Sequence, residues 1–415
     1  MRNFLGDRHP PSLRSGEASR SPSHGANRDY GNHNQILPLS FHHLRLQLAF
    51  AMRVLVIGTT IDKPEVHIFH GLLARGVYIH FLGTPLPDHQ ALIEGAGASI
   101  THHNFAHRFD LKGISLIRKI VREDKINLIY ALSNRGLSCT VLGLMNSPIP
   151  IATYRGTVGH LSWLDPSAWL TFLNPKVKKI LCVSEAVAQY LRDIKVSEDK
   201  IVTIYKGHDI AWYKSTPPPR ASLGLPDDAF VVGCTAMMRP VKGVDILIQA
   251  VASLANELPK LHLLLIGGIK DPVIEKLLHT FPIKDRLHLT GYRNDATQLA
   301  TLCDATVMAS KTREGFPKSV IEAMAQGVPA IVSDVGGMPE LVGRGSAGIV
   351  VPPSNVPELA HAIRTLYNDR ERARELGRLG QQRINDVFNV NTTIEKMHGV
   401  FSELVTTRSS ASIAS

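Results

Sequence analysis

The stretch that decides the fold is residues 313–342, REGFPKSVIEAMAQGVPAIVSDVGGMPELV. It follows an apolar run, ATVMAS at 305–310, and it contains another, PAIVSD at 329–334. Between the two runs, SVIEAMA has apolar residues at helical spacing and predicts a helix. A buried strand, a helix and a second buried strand are typical of a parallel sheet that is covered on both faces. The stretch therefore predicts an α/β fold, with EGFPKS as a loop at the carboxyl end of a strand.

The same alternation of strand and helix patterns extends outward in two series. The first series predicts strands at RVLVIG, VYIHFLG, INLIYAL, IPIATY, KKILCVS and IVTIY. The second predicts strands at FVVGCTA, HLLLIGG, LHLTG, ATVMAS, PAIVSD and AGIVV. A TPPP run at 216–219 separates them and is typical of a stiff linker. The sequence therefore predicts two doubly wound, Rossmann-like parallel-sheet domains, 52–217 and 218–388, that face a central cleft.

The two ends of the chain differ from this pattern. Residues 1–51 are rich in Ser, Pro, His, Asn, Gly and Arg, and we interpret them as a disordered arm or a start-site artefact. Residues 389–406 predict a helix that packs back towards the first domain, and 407–415 predict a frayed tail.

The composition restricts the class of protein. The chain has 415 residues, of which 44% are hydrophobic and 20% charged, which excludes a wholly disordered chain and a disulfide-stapled miniprotein. No apolar run reaches the roughly 18 residues that a membrane-spanning helix needs. The four cysteines form no CxxC pair, so we expect buried, reduced thiols in a cytoplasmic protein.

The charge balance favours an anionic partner. The 46 basic and 36 acidic residues give a net charge of +10, which suits a phosphorylated ligand or an anionic membrane face. Aromatic residues are only 6% and do not interleave with the basic ones, so we expect no nucleic-acid partner. The basic stretch KGISLIRKIVREDK at 112–125 would suit peripheral contact with the inner face of the cytoplasmic membrane. The alternative is an ordinary surface helix with a solvated basic face.

The loop EGFPKS offers groups that bind an anionic or hydroxylated ligand. The first amides of the following helix would attract phosphate, and Lys318 adds a positive charge. Glu314 and Glu322 would accept hydrogen bonds from sugar hydroxyls. Two alternatives stay open, because Ser319 and Glu322 have capping-box spacing and Glu314 could be a solvated loop acid.

The loop after the first strand, GTTIDKPE, does not fit a dinucleotide site. It has only Gly58 where GxGxxG would be needed, and the chain has no GxxxxGK[ST] motif. The missing GxGxxG argues against a nicotinamide or flavin oxidoreductase. Gly58 and Thr59 could still offer an amide and a hydroxyl to a ligand, and an ordinary strand-to-helix turn explains them equally well.

Taken whole, residues 313–342 closely resemble the donor-site signature of retaining GT-B glycosyltransferases of family 4. The shared features are a glutamate followed by Gly-Phe, a second glutamate eight positions later, and an EAMA-x-G-x-P context. The resemblance extends over 52–405, and bacterial enzymes that build lipopolysaccharide, capsule or exopolysaccharide are the nearest in character. It implies transfer of a sugar from a nucleotide diphosphate sugar to a hydroxyl of a glycan or lipid-linked glycan acceptor, with retention and without a metal or a cofactor.

The resemblance also implies roles for single residues. Glu322 should hold the ribose hydroxyls of the donor, and Glu314 should contact the transferred sugar. Backbone groups of the loop should meet the sugar and the diphosphate, and this part of the donor site comprises Gly315, Phe316, Pro317, Lys318 and Ser319.

A second match lies at 235–250, TAMMRPVKGVDILIQA. The family places an arginine and a lysine here on the donor diphosphate, and Arg239 and Lys242 fit these roles. Two cations would neutralise the leaving diphosphate as its charge grows. In the commoner family form the arginine lies further ahead of the lysine, and without the family context both would be read as solvated loop cations.

A third match lies at 149–160, IPIATYRGTVGH. Arg155 stands where the family often has a histidine near the sugar, and His160 follows five residues later. Either could contact the sugar or the acceptor, and a structural role for His160 is equally open. The segment Lys206-Gly207-His208-Asp209 resembles the family's interdomain segment and is interpreted as a hinge.

Two other kinds of function remain. One is a nucleotide-sugar epimerase or a phosphorylase on the same fold. The other is a catalytically silent subunit that supports a partner glycosyltransferase.

Overall fold

The computed structural model describes residues 51–214 and 216–413, with side chains described as far as Thr407. The predicted arm at 1–51 lies outside the described residues, except for Ala51.

The first domain is built on a seven-stranded parallel sheet with the order β3-β2-β1-β4-β5-β6-β7. Its strands are β1 Met52–Ile57, β2 Val77–Gly83, β3 Ser99–His102, β4 Leu128–Ala131, β5 Ile151–Arg155, β6 Val177–Cys182 and β7 Ile201–Thr203. All six predicted strands of the first series are present. The sequence did not predict β3, because this edge strand, SITH, is only partly buried and carries no continuous apolar run.

The second domain is built on a six-stranded parallel sheet with the order β10-β9-β8-β11-β12-β13. Its strands are β8 Phe230–Thr235, β9 Leu261–Ile266, β10 Leu287–Gly291, β11 Ala305–Met308, β12 Ala330–Ser333 and β13 Ile349–Val351. The prediction of two doubly wound α/β domains is confirmed. The direction of winding reverses between β1 and β4 and between β8 and β11, and ligands of such sheets bind beyond the carboxyl ends of the strands at these points.

Helices connect the strands and cover both sheets. The α-helices are α1 Lys63–Leu73, α2 Pro87–Gly95, α3 Leu111–Glu123, α4 Asn134–Gly143, α5 Glu185–Asp193, α6 Val244–Leu254, α7 Pro272–His279, α8 Ala296–Leu299, α9 Lys318–Ala325, α10 Met338–Leu341, α11 Val356–Asn368, α12 Arg370–Asp386 and α13 Val390–Ile413. Short 3-10 helices lie at Pro166–Leu170, Glu198–Lys200, Ile210–Tyr213, Arg220–Leu223, Pro240–Lys242, Lys284–Arg286, Ala300–Leu302 and Gly343–Gly345.

Strand β1 shows why the strands read as continuous apolar runs. Leu55 and Ile57 belong to the core on one face of the sheet, and Val54 and Val56 belong to the core on the other. Every residue of the strand is buried. Because helices cover both faces, neither set of alternating side chains meets water.

Helix α13 returns to the first domain and packs on α1. Its side chains Ile394, Met397 and Phe401 lie in the same core as β1, and the ring of Phe401 is 5.3 Å from that of Tyr130 in β4. The backbone at 407–413, where the sequence predicted a frayed tail, continues this helix, and the last two residues lie outside the described part. Propagation of a helix from packed turns costs little, which accounts for the added length.

The chain crosses between the domains twice, and the crossings run side by side. The first contains the predicted hinge segment, 206–209, and the second follows α12. The amide of His208 donates to the carbonyl of Phe388 at 2.6 Å, and the amide of Val390 donates to the carbonyl of His208 at 3.0 Å. A Cβ on Gly207 would overlap with the side chain of Thr393, so glycine permits this close approach.

The basic stretch at 112–125 forms most of α3 and lies on the surface. Its Ile117 and Ile120 are buried against the first domain, whereas Lys112, Lys119 and Arg122 are exposed. The structure thus has the surface helix with a solvated basic face, and these buried apolar side chains are not available to a membrane. Among the described helices, none has the length and apolar character needed to cross a bilayer.

Candidate active site

Two loops of the second domain meet beyond the carboxyl ends of β8 and β11. The amide of Lys311 donates to the carbonyl of Val241 at 2.8 Å, and its Nζ lies 2.7 Å from a carboxylate oxygen of Asp245. Gly243 makes the approach possible, since its φ is +63° and a Cβ there would overlap with the carbonyl oxygen of Ala309. The two segments that the sequence singled out are therefore joined into one site.

Glu314 and Lys242 form an ion pair at this junction. The Nζ of Lys242 lies 3.0 and 2.8 Å from the two carboxylate oxygens of Glu314. The hydroxyl of buried Ser310 donates to the same carboxylate at 3.1 Å. The side chain of Glu314 is only 14% exposed and that of Lys242 25%. The alternative of solvated loop groups therefore does not fit these two residues.

Arg239 differs from Lys242. It lies just before the 3-10 helix Pro240–Lys242 and is exposed. Within the described residues its side chain makes no ion pair, so a solvated loop cation describes its present surroundings. Its role on the diphosphate stays a prediction.

Glu322 lines a cavity of about 250 Å³ beside helix α9. Its carboxylate accepts a hydrogen bond from the hydroxyl of Thr297 at 3.1 Å and lies 3.4 Å from Nζ of Lys318. Helix α9 begins at Lys318 after Pro317 and has no side-chain cap. The capping box of Ser319 and Glu322 is therefore not formed, and the Glu322 carboxylate faces the cavity instead.

Lys63 of the first domain and two residues that follow the first crossing contribute to the same cavity. Lys63, Trp212 and Tyr213 line it together with Glu322. The Nζ of Lys63 donates to the carbonyl of Trp212 at 3.3 Å and lies 5.6 Å from the centre of its ring. Burial and then the charge of Lys318 lower the pKa of Lys63. The sequence analysis did not predict Lys63, Trp212 or Thr297 as residues of this site. The one signal available to it was Lys63 itself, the lysine of the GTTIDKPE segment after β1.

The backbone of the loop at 314–317 is held at the border between the domains. A Cβ on Gly315 would overlap with the carbonyl oxygen of Gly156 in the first domain. The ring of Phe316 lies 5.6 Å from that of Tyr205 and 5.2 Å from that of Phe388, on the two crossings. The Phe316 side chain is therefore an anchor, which leaves its backbone as the part that a donor can meet.

The glycine pair of DVGGMPE supports this loop from the other side. The amide of Gly337 donates to the carbonyl of Glu314 at 3.2 Å. Gly336 has a φ of +56°, and a Cβ there would overlap with the same carbonyl oxygen. Both glycines therefore fix where the Glu314 backbone lies.

Gly58 and Thr59 form the turn after β1. The amide of Gly58 donates to the carbonyl of Leu82 at 3.2 Å, and the carbonyl of Thr59 accepts from the amide of Thr84 at 2.6 Å. These bonds are those of an ordinary strand-to-helix turn within the first domain, so a ligand contact of Gly58 or Thr59 stays a prediction.

Arg155 and His160 lie at a second cavity, of about 300 Å³, in the first domain. Arg155 ends β5 and is buried. The Nη1 of Arg313 donates to Nε2 of His160 at 2.6 Å, and both residues have a φ near +60°. His160 thus contacts the residue that precedes Glu314. The structure brings this cavity next to the loop of the donor site.

The described residues hold no cluster of three or more His, Cys, Asp or Glu side chains that could bind a metal ion. The four cysteines are buried and form no disulfide. Burial raises the pKa of Cys182, Cys234 and Cys303 to about 12 in each case. These thiols are unreactive core groups at neutral pH.

Two family models match the chain, one in each domain. The model described as Glycosyltransferase Family 4 matches residues 65–212, and the model described as Glycosyl transferases group 1 matches residues 215–383. The chain is 22% identical to the N-acetyl-alpha-D-glucosaminyl L-malate synthase of Bacillus anthracis, over 84% of this chain and 93% of that protein. It is 28% identical to the D-inositol 3-phosphate glycosyltransferase of Corynebacterium efficiens, but that match spans only about half of either protein, 54% of this chain and 55% of the other.

Solved structures share the fold. A glycosyltransferase from Rickettsia africae has a TM-score of 0.73 at 17% identity, over 85% of this chain and 98% of that one. The Anabaena protein Alr3699/HepE in complex with UDP-glucose has a TM-score of 0.70 at 21% identity, over 85% of this chain and all of the other. WaaG, a glycosyltransferase involved in lipopolysaccharide biosynthesis, has a TM-score of 0.63 at 14% identity, over 84% and 99%. With one family model in each domain and the same two-domain fold in these structures, the protein belongs to the family 4 glycosyltransferases of GT-B fold.

Proposed function

We propose that the protein moves a sugar from a nucleotide diphosphate sugar to a hydroxyl acceptor with retention, in the synthesis of a cell-surface polysaccharide or lipopolysaccharide. The observation that carries this proposal is the Glu314–Lys242 ion pair at the junction of the loops after β8 and β11, followed along the chain by helix α9, whose Glu322 lines a cavity. These groups support the proposal, because they would supply a carboxylate for the sugar, a cation for the phosphates and a second carboxylate for the ribose. Similar proteins support the donor class, since one of them holds UDP-glucose.

The donor would lie across the carboxyl ends of β8 and β11. Glu322, with most of its side chain buried and free of a capping role, would accept hydrogen bonds from two ribose hydroxyls. The diphosphate would lie towards the N-terminus of α9, where Lys318 adds a positive charge and where the amides of Ser319 and its neighbours point. Backbone groups of Gly315, Phe316 and Pro317 would meet the sugar.

Lys242 would act mainly on the leaving group. Both carboxylate oxygens of Glu314 bind its ammonium group. A donor diphosphate would share this cation, and Arg239 would swing in from solvent as a second one. Negative charge on the diphosphate grows as the sugar–oxygen bond breaks, so cations placed there stabilise the transition state more than the ground state.

Retention requires the acceptor hydroxyl to attack from the face that the diphosphate leaves. A phosphate oxygen of the leaving group would take the hydroxyl proton while Glu314 holds the sugar. In this scheme Lys242, Arg239 and the N-terminus of α9 provide the positive charge, so we propose that no metal and no cofactor take part. The acceptor would approach from the first domain, past Arg155 and His160, and Gly58 and Thr59 would line the same side.

We also propose a cytoplasmic location with peripheral membrane contact, which suits a lipid-linked acceptor. Exposed apolar side chains support this, because Phe109 and Leu164 lie one residue away from Arg108 and Asp165 in the lining of the Arg155 cavity. Sedimentation with phosphatidylglycerol vesicles would test the contact, with phosphatidylcholine vesicles as the uncharged control. Leu164→Glu should bind the phosphatidylglycerol vesicles more weakly than the unmodified protein does. Equal binding of the unmodified protein and Leu164→Glu to these vesicles would contradict the proposal.

A panel of donors tests the proposed function. The purified protein is incubated with UDP-, GDP-, ADP- and dTDP-sugars, and the thermal shift and the released nucleotide are recorded. We expect one donor to stabilise the protein and to be hydrolysed slowly. Glu322→Gln should lose most of the stabilisation, whereas Glu375→Gln, an exposed change on α12, should keep it.

The same panel separates the alternatives. Consumption of a donor without an acceptor to give a new sugar isomer would indicate an epimerase, and a strict need for inorganic phosphate would indicate a phosphorylase. A folded protein that binds no donor would contradict the proposal and favour the silent-subunit hypothesis.

A further inference from the structure

The charge of Arg155 has no counter-ion within the described part of the chain. The residue is 6% exposed, and its Nη2 donates to the carbonyl of Gly159 at 2.5 Å. Its Nε is buried and has no hydrogen-bond partner. The groups that act on its charge are the hydroxyl of Tyr190 and the thiol of Cys182, and no carboxylate is among them. A buried guanidinium without an anion is costly, because it loses hydration and gains no ion pair.

The guanidinium is held in place by aromatic rings. It lies 4.7 Å from the ring centre of Phe172 and 5.5 Å from that of Tyr190. The hydroxyl of Tyr190 is itself fixed, since it donates to the carbonyl of Leu161 at 2.9 Å and accepts from its amide at 3.0 Å. Because five N–H donors are present and the carbonyl of Gly159 takes one of them, most of the donor capacity is preorganised and unused.

The cavity beside Arg155 offers further donors. Its volume is about 300 Å³, and Arg108, Asn134 and Thr157 line it with polar side chains. Asp165 is the acidic residue in its lining, but that carboxylate accepts from the amide and the hydroxyl of Ser167 at 2.8 Å each. An anion in the cavity would therefore meet mainly N–H and O–H donors, including two arginines.

The cavity adjoins the site of transfer. Gly159 and His160 belong to its lining, and His160 accepts the hydrogen bond from Arg313 at 2.6 Å. Arg313 directly precedes Glu314. A molecule that places one end in this cavity can thus present a hydroxyl group towards the sugar held at Glu314.

We propose that the cavity beside Arg155 binds a carboxylate or phosphate group of the acceptor and so selects acceptors that carry such an anion near the reacting hydroxyl. This inference rests on the proposed function, because it assigns the acceptor class for the same transfer. The guanidinium supplies a planar set of donors that matches either anion in a bidentate way. Arg108 in the lining adds a second positive charge.

Anion binding by the whole protein tests the proposal. Inorganic phosphate and malonate are titrated separately by calorimetry at constant ionic strength. The nucleoside diphosphate of the donor that the panel identifies is present at a saturating concentration. The nucleotide prevents the anions from binding at Lys242. We expect at least one of the two anions to bind. Tighter binding of phosphate would indicate an acceptor with a phosphate group, and tighter binding of malonate an acceptor with a carboxylate.

Variants connect the binding to this cavity. Arg155→Met should weaken the anion by about tenfold or more, as expected for loss of a charge-assisted bidentate contact, and should leave nucleotide binding unchanged. Arg108→Met tests the same cavity at a second, half-buried residue of its lining and should weaken anion binding severalfold. Absence of anion binding, or binding that neither variant changes, would overturn the proposal. If anions bind through Arg155 while no nucleotide or donor binds, the proposed function has failed and the acceptor assignment falls with it, although the anion site stands.

Discussion

Lys242 is the residue whose removal should separate binding from catalysis. In Lys242→Ala the donor keeps its contacts with Glu322 and with α9, so its affinity should fall modestly. Turnover should fall by about 100-fold or more, because one preorganised cation is lost where charge develops. Initial rates of nucleotide release with the preferred donor measure both effects.

The control for this change is Lys260→Ala. Lys260 also forms an ion pair, with Asp228 at 2.8 Å, but both side chains are exposed and lie outside the site. The activity of Lys260→Ala should equal that of the unmodified protein. Normal turnover in a folded Lys242→Ala protein would remove this lysine from the mechanism.

Single residues could be predicted where a local motif carries the signal. Glu314 and Glu322 share one loop and helix, and Lys242 follows one strand, so short segments identified them. Lys63 and Thr297 could not be found in this way, because they join the Glu322 cavity from distant parts of the chain. Contacts between such residues depend on packing, which a linear pattern does not contain.

His208 should make stability sensitive to acid. Burial lowers its pKa to about 3, and its Nδ1 lies 2.5 Å from the hydroxyl of Tyr213. The unfolded chain takes up the proton near the ordinary pKa of about 6.5, whereas the folded chain takes it up only near 3. The free energy of unfolding therefore decreases as the pH falls below about 6.5 and continues to decrease down to about pH 3. The loss from this one group should be about 2 kcal/mol at pH 5.

Urea unfolding of the whole protein at pH 7.5 and pH 5.0 measures this effect. Buried His262 and half-buried His288 also have lowered pKa values, chiefly through desolvation. The test is therefore the difference between the unmodified protein and His208→Gln, which should lose less stability between the two pH values. An identical pH dependence in both proteins would refute the assignment to His208.

At the level of elements, the strands were predictable and the loop geometry was not. Strands such as β1 are buried on both faces, so they read as apolar runs, and only the half-exposed edge strand β3 was missed. The contact between the loops that follow β8 and β11 depends on Gly243 and on the bond from Lys311 to Val241. A glycine in KGVD has no local feature that distinguishes this role from a simple helix start.

Two glycines test that loop contact as a matched pair. Gly243 and Gly224 both end a short 3-10 helix with a φ near +65°. A Cβ on Gly243 would overlap with the carbonyl of Ala309, whereas nothing lies within 4 Å of a Cβ on Gly224. Gly224→Ala should cost about 1 kcal/mol, the strain of the left-handed backbone alone. Gly243→Ala should cost about 3 kcal/mol or more and should also lower donor affinity, because Lys242 and the loop must move.

Thermal unfolding and donor titration of both variants make the comparison. The donor affinity of Gly224→Ala should not change. Equal losses of stability in the two variants would mean that the overlap at Ala309 relaxes without cost, and the loop contact would then not position the site.

At the scale of the whole molecule, alternation of strands and helices was enough to predict two domains and a cleft. It could not predict what joins them. The aromatic cluster of Tyr205, Phe316 and Phe388 connects the donor loop to both crossings. The carboxylate of Glu340 in the second domain accepts a hydrogen bond from the amide of Glu185, at the start of α5 in the first domain, at 2.9 Å. These partners are far apart in the chain, so no local pattern marks them.

Glu340 should hold the two domains together in the arrangement described. Its carboxylate binds the N-terminus of α5, which favours a negative charge, and it also accepts from the hydroxyl of Tyr205. Glu340→Ala removes both contacts and leaves an amide of α5 without a partner. Because hydrogen bonds to a charged group contribute about 1.5–3 kcal/mol, the equilibrium constant that favours this arrangement over an opened one should fall by about tenfold or more.

This arrangement of the domains brings Gly315 against Gly156 and His160 against Arg313. Sugar transfer should therefore need it, whereas binding of a nucleotide at Glu322 should depend on it less. Glu340→Ala should therefore lower turnover in proportion to the lost population, by up to about tenfold, and weaken nucleotide binding less. Small-angle scattering should show a larger radius of gyration than in Glu375→Ala, which removes only an exposed ion pair with Arg378. An unchanged radius together with unchanged turnover would mean that the aromatic cluster alone sets the arrangement of the domains, and that the contact of Glu340 with α5 follows from it.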